Sequence, residues 1–452
     1  MSLLPLSHLN HRTLSTLSSF PSPPTLTISD EPTKGAHVLK LLNEPDFKSE
    51  NISYLTYKPN TIYLINETLT IYTIPPRTSS LSLLPKFPKL SQSSYYISGV
   101  EGCDDITMMS LMLGQYTYSA PFTSPKPPIN LTVPSKINQS IQSLVSTIYS
   151  CKTLITSPPN LLNPDTFESH AKEILKGDWS VIKGEQLLDK GYECIHAVGR
   201  SSQYEPRLMT YSNPGSGPKF TIIGKAVTFD SGGLSLKPSS GMINMKKDMA
   251  GGAIALSLGK LLKEAGIYFE LILPVVENSV SGESYRLGDV LRHNNGKTTE
   301  ILNTDAEGRL ILADALLHSS NDTEYIIDFA TLTGAARVAL GIEVGMFFTN
   351  NDDLGNLMVE KGSSVEDPLW RMPLYSGYEN RLKGRVSDLT NVTRDGGLGG
   401  AITAALYLQN FVPEGKKWVH FDVNGMDENG EGEANGLRAC WEVIKGIVEK
   451  EK

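Results

Sequence analysis

Two carboxylates and a guanidinium alternate in the segment Asn303–Leu310, which reads NTDAEGRL. Asp305, Glu307 and Arg309 would share one face of an extended segment, because side chains two positions apart point to the same side of a strand. Apolar residues flank the segment on both sides and predict a buried setting. Buried carboxylates need a cation or several donors to offset their lost hydration. The pattern therefore favours a metal or catalytic site over a solvated edge strand.

A second charged cluster lies upstream, where residues 224–233 read GKAVTFDSGG and residues 246–252 read KKDMAGG. Lys225 and Asp230 stand at the carboxyl end of a predicted buried strand, where open α/β sheets bind ligands. Asp248 opens a predicted helix, and capping that helix is its alternative role. The cluster adds two carboxylates to the candidate site.

The carboxylates of both clusters would be neutralised by two divalent cations. They are Asp230, Asp248, Asp305 and Glu307. Oxygen ligands of this kind suit Mn²⁺, Mg²⁺ or Zn²⁺. None of the eight histidines lies in either cluster, so a histidine-based zinc site finds no support. A pair of metals can lower the pKa of a shared water molecule, which suits hydrolysis.

The order of predicted elements places these clusters in an α/β fold. A helix predicted over 137–155 ends before two prolines, and beyond it strands alternate with helices. We expect two domains: a smaller N-terminal α/β domain, residues 1–150, that ends in this connecting helix, and a larger catalytic domain, residues 151–452. The larger domain should hold a central, mostly buried sheet flanked by helices. The predicted elements are strands at 61–65, 95–100, 220–223, 268–273 and 325–330 and helices at 249–265 and 310–319.

The bulk composition bears on partners and location. The 452 residues carry a formal net charge of −8, which gives no electrostatic reason to expect nucleic acid or an anionic membrane. No apolar run approaches the length of a membrane span. The segment Met1–Ser29 has no acidic residue and one arginine. We expect a cytoplasmic protein, with an organelle transit peptide as the alternative for this segment.

The motifs together resemble the M17 leucyl aminopeptidase family of cytosolic metallo-exopeptidases. The resemblance rests on GKAVTFDSGG, the following Lys237, KKDMAGG and NTDAEGRL, in this order. Residues 328–335 (DFATLTGA) and 396–405 (GGLGGAITAA) are similar to further segments of the family. The similarity covers roughly residues 156–445, and the N-terminal third matches only loosely.

The resemblance implies a role for each charged residue. Lys225, Asp230, Asp248, Asp305 and Glu307 match the ligands of two divalent metals, Zn²⁺ and/or Mn²⁺, and Asp230 and Glu307 match the bridging pair. Lys237 and Arg309 match the two catalytic cations of the family. Lys237 would stabilise the oxyanion, and Arg309 would hold a bicarbonate ion that carries a proton to the leaving amine.

The resemblance also implies a pocket for the first side chain of the substrate. Met245, Thr331 and Gly334 match its lining, although Met245 has a core role as its alternative. Asn424 falls where the family has a small residue, usually alanine. This departure puts a simple preference for leucine in doubt if Asn424 faces the substrate. Alternatively, Asn424 turns away and bonds to backbone near Gly425.

The implied function is a metallo-aminopeptidase that releases leucine and other mainly apolar residues from peptides with a free N-terminus. The resemblance further implies a homohexamer. A different hypothesis is a hexameric DNA-binding or scaffold protein with secondary peptidase activity, which the acidic net charge disfavours. A two-metal phosphoesterase is a further rival, disfavoured because Lys225 as a ligand and the whole set of motifs point to peptidase chemistry.

Overall fold

A computed structural model of the protein describes residues 109, 112–118 and 140–451 except 320 and 396, together with six short strands between residues 25 and 133. Residues 1–24, and with them most of the segment considered as a transit peptide, lie outside the described residues. Among the described residues, no helix is both long and apolar enough to cross a bilayer.

Six strands in the first third form one sheet. They are β1 (Thr25–Ile28), β2 (His37–Leu42), β3 (Ile62–Leu64), β4 (Leu69–Thr73), β5 (Ser94–Ser98) and β6 (Asn130–Val133). Their order is β1-β6-β5-β2-β4-β3, and every pair is parallel except β3 with β4. The strands predicted at 61–65 and 95–100 are therefore confirmed.

The remaining strands lie in the second part of the chain. They are β7 (Trp179–Lys183), β8 (Arg207–Asn213), β9 (Phe220–Gly224), β10 (Ala226–Asp230), β11 (Phe269–Asn278), β12 (Val290–Arg292), β13 (Thr298–Glu300), β14 (Tyr325–Ala330), β15 (Gly345–Thr349), β16 (Leu369–Arg371), β17 (Leu389–Thr390) and β18 (Lys417–Asp422). Nine of them form a sheet with the order β16-β15-β18-β14-β9-β11-β8-β7, in which β10 also pairs with β11. The central strands β18, β14, β9 and β11 run parallel.

Helices cover both faces of this sheet. They are α1 (Ser140–Thr156), α2 (Pro164–Ile174), α3 (Gln186–Asp189), α4 (Glu193–Gly199), α5 (Ser239–Met242), α6 (Ala250–Glu264), α7 (Gly308–His318), α8 (Gly334–Leu340), α9 (Asp352–Ser364), α10 (Gly400–Gln409) and α11 (Leu437–Lys450). Two 3-10 turns, Met245–Met249 and Ser376–Leu382, complete the set.

The central strands bury both of their faces. Ile222 of β9 packs into a core built with α1, α6 and α11, whereas its neighbour Ile223 packs into a second core with α4, α7 and α10. Successive side chains of a strand point to opposite faces, so a strand with a core on each side is apolar at nearly every position. The fold is a helix–sheet–helix sandwich, which confirms the predicted α/β class and its buried central sheet.

The helix starts follow from local chemistry. Asn163 caps α2 by accepting from the amides of Asp165 and Thr166, and the Thr166 hydroxyl accepts from the Asn163 amide in return. Pro164 occupies the first turn, where its missing N–H costs nothing. The predicted connecting helix appears as α1, which ends directly before the two prolines, and packs against α6.

The segment Asn303–Leu310 differs from its prediction. It is not extended: a turn contains Asp305, Glu307 immediately precedes α7, and Arg309 lies in the first turn of that helix. The two carboxylates and the guanidinium therefore do not share the face of a strand. They converge because the chain bends sharply into a helix, which aims neighbouring side chains at one point.

The carboxyl ends of parallel strands meet at one edge of the sheet, and the charged motifs gather there. Lys225 follows β9, Asp230 ends β10 and Thr331 follows β14, whereas Asn424 lies two positions after the end of β18. This edge is where open α/β sheets present ligand sites.

Candidate metal centre and adjoining pocket

Lys225 lies at the middle of the buried charge cluster. Its Nζ is 2.8 Å from Asp248 Oδ1 and 2.9 Å from Glu307 Oε1. A Cβ built on Gly308 would lie 2.7 Å from the same nitrogen, so only glycine lets α7 start this close to the lysine. Burial would lower the pKa of Lys225, but the surrounding carboxylates outweigh it and raise that pKa. A metal that binds Lys225 must therefore displace a firmly held proton.

Asp230 is held by groups from the neighbouring strand. Asn278, its register partner on β11, donates from Nδ2 to Asp230 Oδ1 at 2.8 Å and to the Thr304 carbonyl at 3.0 Å. The Gly232 amide donates to the same Asp230 oxygen at 2.9 Å, a geometry made possible by the positive φ of 88° at that glycine. These bonds leave Oδ2 of Asp230 facing the cluster.

Lys237 bridges the two sides of the cluster. Its Nζ lies 2.9 Å from Asp230 Oδ2 and also contacts Asp305 Oδ1. Burial works against the charged form, yet the two carboxylates raise the pKa of Lys237 above its ordinary value. The group is therefore a fixed ammonium at the mouth of the site, with 15% of its side chain exposed.

The carboxylates are short of positive charge. Oxygens of Asp230, Asp248 and Glu307 lie within 4.8 Å of one another, and all three residues are buried. Asp248 Oδ2 and Glu307 Oε2 have no hydrogen-bond partner among the described residues. Burial and mutual repulsion raise the pKa of Asp230 well above its ordinary value. Buried oxygens without donors are costly, and divalent cations would satisfy them.

Arg309 supplies a further buried cation beside the cluster. Arg309 is 6% exposed, and its Nε has no hydrogen-bond partner among the described residues. Burial lowers the pKa of Arg309, although the guanidinium stays protonated at any ordinary pH. A buried, incompletely bonded guanidinium is suited to a small anion such as a carboxylate or bicarbonate.

The structure brings together the predicted metal ligands and catalytic cations. Lys225, Asp230, Asp248 and Glu307 form the buried centre, and Asp305 joins it through Lys237. Their donor set, four carboxylates and one amine, fits divalent cations without histidine. When bound, such cations would supply Lewis acidity and a water of lowered pKa.

The loop after β14 adjoins the centre on the side of Asp248. Thr331 donates from Oγ1 to Asp248 Oδ1 at 2.8 Å, which ties the loop after β14 to the cluster. Asp422, at the end of β18, holds the same loop by accepting from the Leu332 and Thr333 amides at 2.9 and 3.0 Å. A Cβ built on Gly334 would meet no atom within 4 Å, so open space lies before that residue.

Asn424 lies beside Lys247, and both ends of its amide are engaged. Its Oδ1 accepts from Lys247 Nζ at 2.5 Å, and its Nδ2 donates to the Met426 carbonyl at 2.6 Å. The backbone contact is the one expected if the amide turns away from the substrate. Burial lowers the pKa of Lys247 to about 8.

Met245, the remaining predicted pocket residue, begins the 3-10 turn that carries Asp248 and is half-buried.

Three further residues serve the site, although the sequence motifs do not single them out. Asn278 and Asp422 position Asp230 and the Thr331 loop, and Lys247 contacts Asn424. The sequence does carry a signal for Asn278 and Asp422, because each is a polar residue at the carboxyl end of a buried strand. Lys247 precedes Asp248 in the sequence. Apart from its place in the KKDMAGG motif, no sequence signal indicates a role for it in the site.

Comparisons with known proteins identify the family of the chain. The model of the cytosol aminopeptidase family, catalytic domain, matches residues 149–441. A probable cytosol aminopeptidase of Rhodopirellula baltica is 42% identical over 292 residues, which cover 63% of this chain and 57% of that protein. The matched region thus spans less than two thirds of that relative's length.

Solved structures resemble the chain over a longer span. The crystal structure of the cytosol aminopeptidase from Coxiella burnetii is 32% identical with a TM-score of 0.83, covering 92% of this chain and 98% of that one. The bottromycin maturation enzyme BotP in complex with Mn is 25% identical with a TM-score of 0.78, covering 91% of this chain and 99% of that one. The fold, the motifs and the family match together show that the chain belongs to the cytosol aminopeptidase family.

Proposed function

We propose that this protein is a metal-dependent aminopeptidase that removes single residues from the free N-terminus of peptides. The observation that carries the proposal is the buried cluster of Asp230, Asp248 and Glu307, whose oxygens lie within 4.8 Å of one another and are partly unpaired. The lysines of the chain leave some of these oxygens without a partner, and buried carboxylates need further positive charge to offset their lost hydration. Two divalent ions, Zn²⁺ and/or Mn²⁺, held by these residues with Lys225 and Asp305, would supply it.

The chain's own cations support hydrolysis at this centre. Lys237 projects its ammonium group between Asp230 and Asp305, close enough to donate to a carbonyl oxygen that gains negative charge. Preorganised donors of this kind are worth most in a site from which water is excluded.

Arg309 serves a different purpose in the proposal. Its guanidinium cannot accept a proton, so it cannot act as a base. Its buried position beside Glu307 suits it to hold a bicarbonate ion, which would move a proton to the leaving amine. The Arg309→Ala variant should regain part of its activity when bicarbonate is added at high concentration, because mass action would then fill an anion site that has lost its guanidinium.

Organisation and location follow the relatives as proposals. The region from residue 151 to 452 would be the peptidase domain, and residues 1–150 a separate N-terminal domain. The chain would assemble as a homohexamer in the cytoplasm. Size-exclusion chromatography with light scattering tests the assembly.

The decisive experiment combines metal removal with a free or blocked N-terminus. Metal-stripped protein should not hydrolyse leucyl amide, and Mn²⁺ or Zn²⁺ should restore hydrolysis. N-acetylated peptides should resist cleavage, because the acyl cap removes the amine lone pair that a metal would bind. Equal turnover of capped and free peptides, or activity that survives metal removal, would overturn the proposal.

A gel-shift titration separates this function from the hexameric DNA-binding or scaffold alternative. The net charge of −8 predicts weak binding that disappears at physiological salt. Tight DNA binding by a protein without peptidase activity would favour the alternative.

A further inference from the structure

The turn that carries Asp305 lies where two parallel strands of a small sheet end. β13 and β17 are neighbours in this three-stranded sheet, and Glu300 of β13 is the register partner of Thr390 in β17. Parallel neighbours end at the same edge of a sheet, so the residues that follow them come side by side. Asn391 follows β17 and donates its backbone amide to the Glu300 carbonyl at 3.1 Å. It therefore lies against the turn that follows β13.

The side chain of Asn391 is buried and bonds to this turn at both of its ends. Its Oδ1 accepts from the amides of Leu302 and Asn303 at 2.8 and 3.3 Å. Its Nδ2 donates to the Asn303 carbonyl at 2.6 Å and, more weakly, to the Ala306 carbonyl at 3.5 Å. An asparagine amide offers two donors and two acceptor sites, so these four bonds use its full capacity. Because the bonded residues enclose Asp305 in the sequence, the asparagine fixes the two ends of the turn relative to each other.

The other side of the turn is bonded to the body of the domain. The Thr304 carbonyl accepts from the Tyr285 hydroxyl at 2.6 Å and from Asn278 Nδ2 at 3.0 Å. The Thr304 hydroxyl donates to the Gly232 carbonyl at 2.7 Å. Hydrogen bonds that the chain itself supplies on two sides therefore set the conformation of the turn.

Asp305 depends on its backbone more than the other carboxylates of the centre do. Its side chain is 31% exposed, whereas those of Asp230, Asp248 and Glu307 are 5% exposed or less. Packing restricts the buried side chains directly. An exposed side chain is restricted mainly by the backbone that carries it, so the turn decides where the Asp305 carboxylate lies.

We infer that Asn391 is a positioning residue for the metal centre. It holds the turn in the conformation that presents Asp305 and thereby sets the affinity for the ion that Asp305 binds. The inference rests on the proposed metal-dependent function and adds a residue that lies outside the charged motifs. A turn already in its bound conformation loses little conformational entropy when the ion binds, whereas a loosened turn must be ordered at that moment.

The test measures metal affinity in a double-mutant cycle with Asp305. Titration of the metal-free protein with Mn²⁺ against a chelating indicator gives the dissociation constants of the bound ions, and Asp305→Ala identifies the ion that Asp305 binds. Asn391→Ala should raise the dissociation constant of that ion by about 10- to 100-fold and leave the other unchanged. In the Asp305→Ala background, Asn391→Ala should change neither constant further, because the turn no longer carries the ligand that it positions.

Thr390→Val is the matched control for damage to the fold. Thr390 precedes Asn391 and is equally buried, but its hydroxyl donates to the carbonyls of Leu382 and Val392 at 3.2 and 2.8 Å, away from the turn. This variant should lower the free energy of unfolding and leave both dissociation constants at their wild-type values.

Asn391→Asp tests the same role with a side chain of equal size. It keeps the acceptor for the two amides and loses donors to the two carbonyls. An added carboxylate would by itself attract a dication, so weaker Mn²⁺ binding in this variant would result from the altered turn and support the inference.

The outcomes separate this inference from the proposed function. A wild-type protein that binds no Mn²⁺ or Zn²⁺ would overturn the metal-dependent function, and the role of Asn391 with it. If the wild-type protein binds two ions and folded Asn391→Ala binds both with unchanged affinity, only the role of Asn391 is wrong. Should Asn391→Ala not fold, unchanged affinities in Asn391→Asp lead to the same conclusion. Equal weakening of both ions in Asn391→Ala and in Thr390→Val would also contradict the inference, because it would indicate general damage to the fold.

Discussion

Two buried clusters of potential metal ligands in this molecule lead to opposite conclusions. The first is the centre formed by Asp230, Asp248 and Glu307. The second contains Cys194, His293 and Asp314, whose ligand atoms also lie within 4.8 Å of one another. Both clusters are fully buried, so distance and burial do not distinguish them.

The second cluster is complete without a metal. His293 contacts Asp314 Oδ1 through Nδ1 at 3.2 Å, and its Nε2 contacts the hydroxyls of Thr299 and Tyr407 at 2.9 and 3.2 Å. The other Asp314 oxygen accepts from two backbone amides at the start of α4, one of them from Cys194 at 3.0 Å. These bonds join α4, α7 and α10 into one core.

The first cluster is not satisfied by hydrogen bonds in this way. Its oxygens outnumber the donors that the described residues supply, and Asp248 Oδ2 and Glu307 Oε2 remain unpaired. Ligand-type side chains therefore mark a metal site only where the protein leaves them unsatisfied. A buried network whose members all have partners is a structural element.

Removing a carboxylate from the first cluster should have the largest effect. Asp230→Ala should lose bound metal and lower kcat/KM by at least about a thousandfold, because both metals would lose a shared ligand and each lost electrostatic stabiliser costs roughly 2.7–4 kcal/mol. Elemental analysis and leucyl amide hydrolysis measure the two effects. Two full metal equivalents in this variant would refute the assignment of Asp230.

The corresponding change in the second cluster should alter stability instead. Asp314→Ala leaves His293 and two backbone amides without their acceptor, and removing one partner of a buried pair costs about 3–5 kcal/mol. Denaturant unfolding should show that loss, while the metal content of the folded protein stays equal to that of wild type. A loss of metal with unchanged stability would place a metal at the second cluster and overturn the comparison.

Lys237→Ala should separate chemistry from metal binding within the first cluster. The ammonium contacts Asp230 and Asp305, but its proposed work is on the substrate. We expect full metal content and a kcat lower by about 10²–10³-fold, the cost of one oxyanion stabiliser. Loss of metal in this variant would show that Lys237 acts mainly by holding the carboxylates together.

The sequence allowed the motif residues and the central strands to be predicted, since buried parallel strands and charged strand ends leave strong local signals. The predicted shape of the segment around Asp305 was wrong, because alternating charges fit a strand as well as a turn that enters a helix. The local sequence pattern does not distinguish a strand from such a turn, because the packing of α7 against Lys225 determines which of the two forms.

Contacts between distant residues were beyond the sequence. Lys247 and Asn424 are 177 positions apart, and their bond exists because the end of β18 comes beside the turn that precedes α6. The departure at Asn424 was visible as an unusual residue in a family segment. Its partner, Lys247, became apparent only from the fold, which brings the two side chains together.

A third group of charges contrasts with the metal centre, because here three cations of the chain surround a single carboxylate. Glu168 on α2 lies 2.7 Å from Lys172, 2.6 Å from Lys183 and 2.6 Å from Arg207. Burial would raise the pKa of Glu168, but these hydrogen bonds lower it from 4.5 to about 2. Neighbouring charge thus decides whether a buried carboxylate holds or releases its proton.

The smallest predicted effect follows from that lowered pKa. A carboxyl group with a lower pKa in the folded state stabilises the protein above pH 4.5, and this contribution disappears as the pH falls from 4.5 to about 2. In that window the free energy of unfolding of Glu168→Gln should fall less steeply than that of wild type. The difference accumulated across the window should be on the order of 1 kcal/mol, a small value because the cluster is partly exposed to solvent. Denaturant unfolding at several acidic pH values measures how the free energy of unfolding changes with pH.

Asp189→Asn is the matched control. It removes an exposed charge on α3 and should follow wild type. Parallel curves for Glu168→Gln and wild type would mean that the three cations do not compensate this carboxylate, and the contrast with the metal centre would no longer hold.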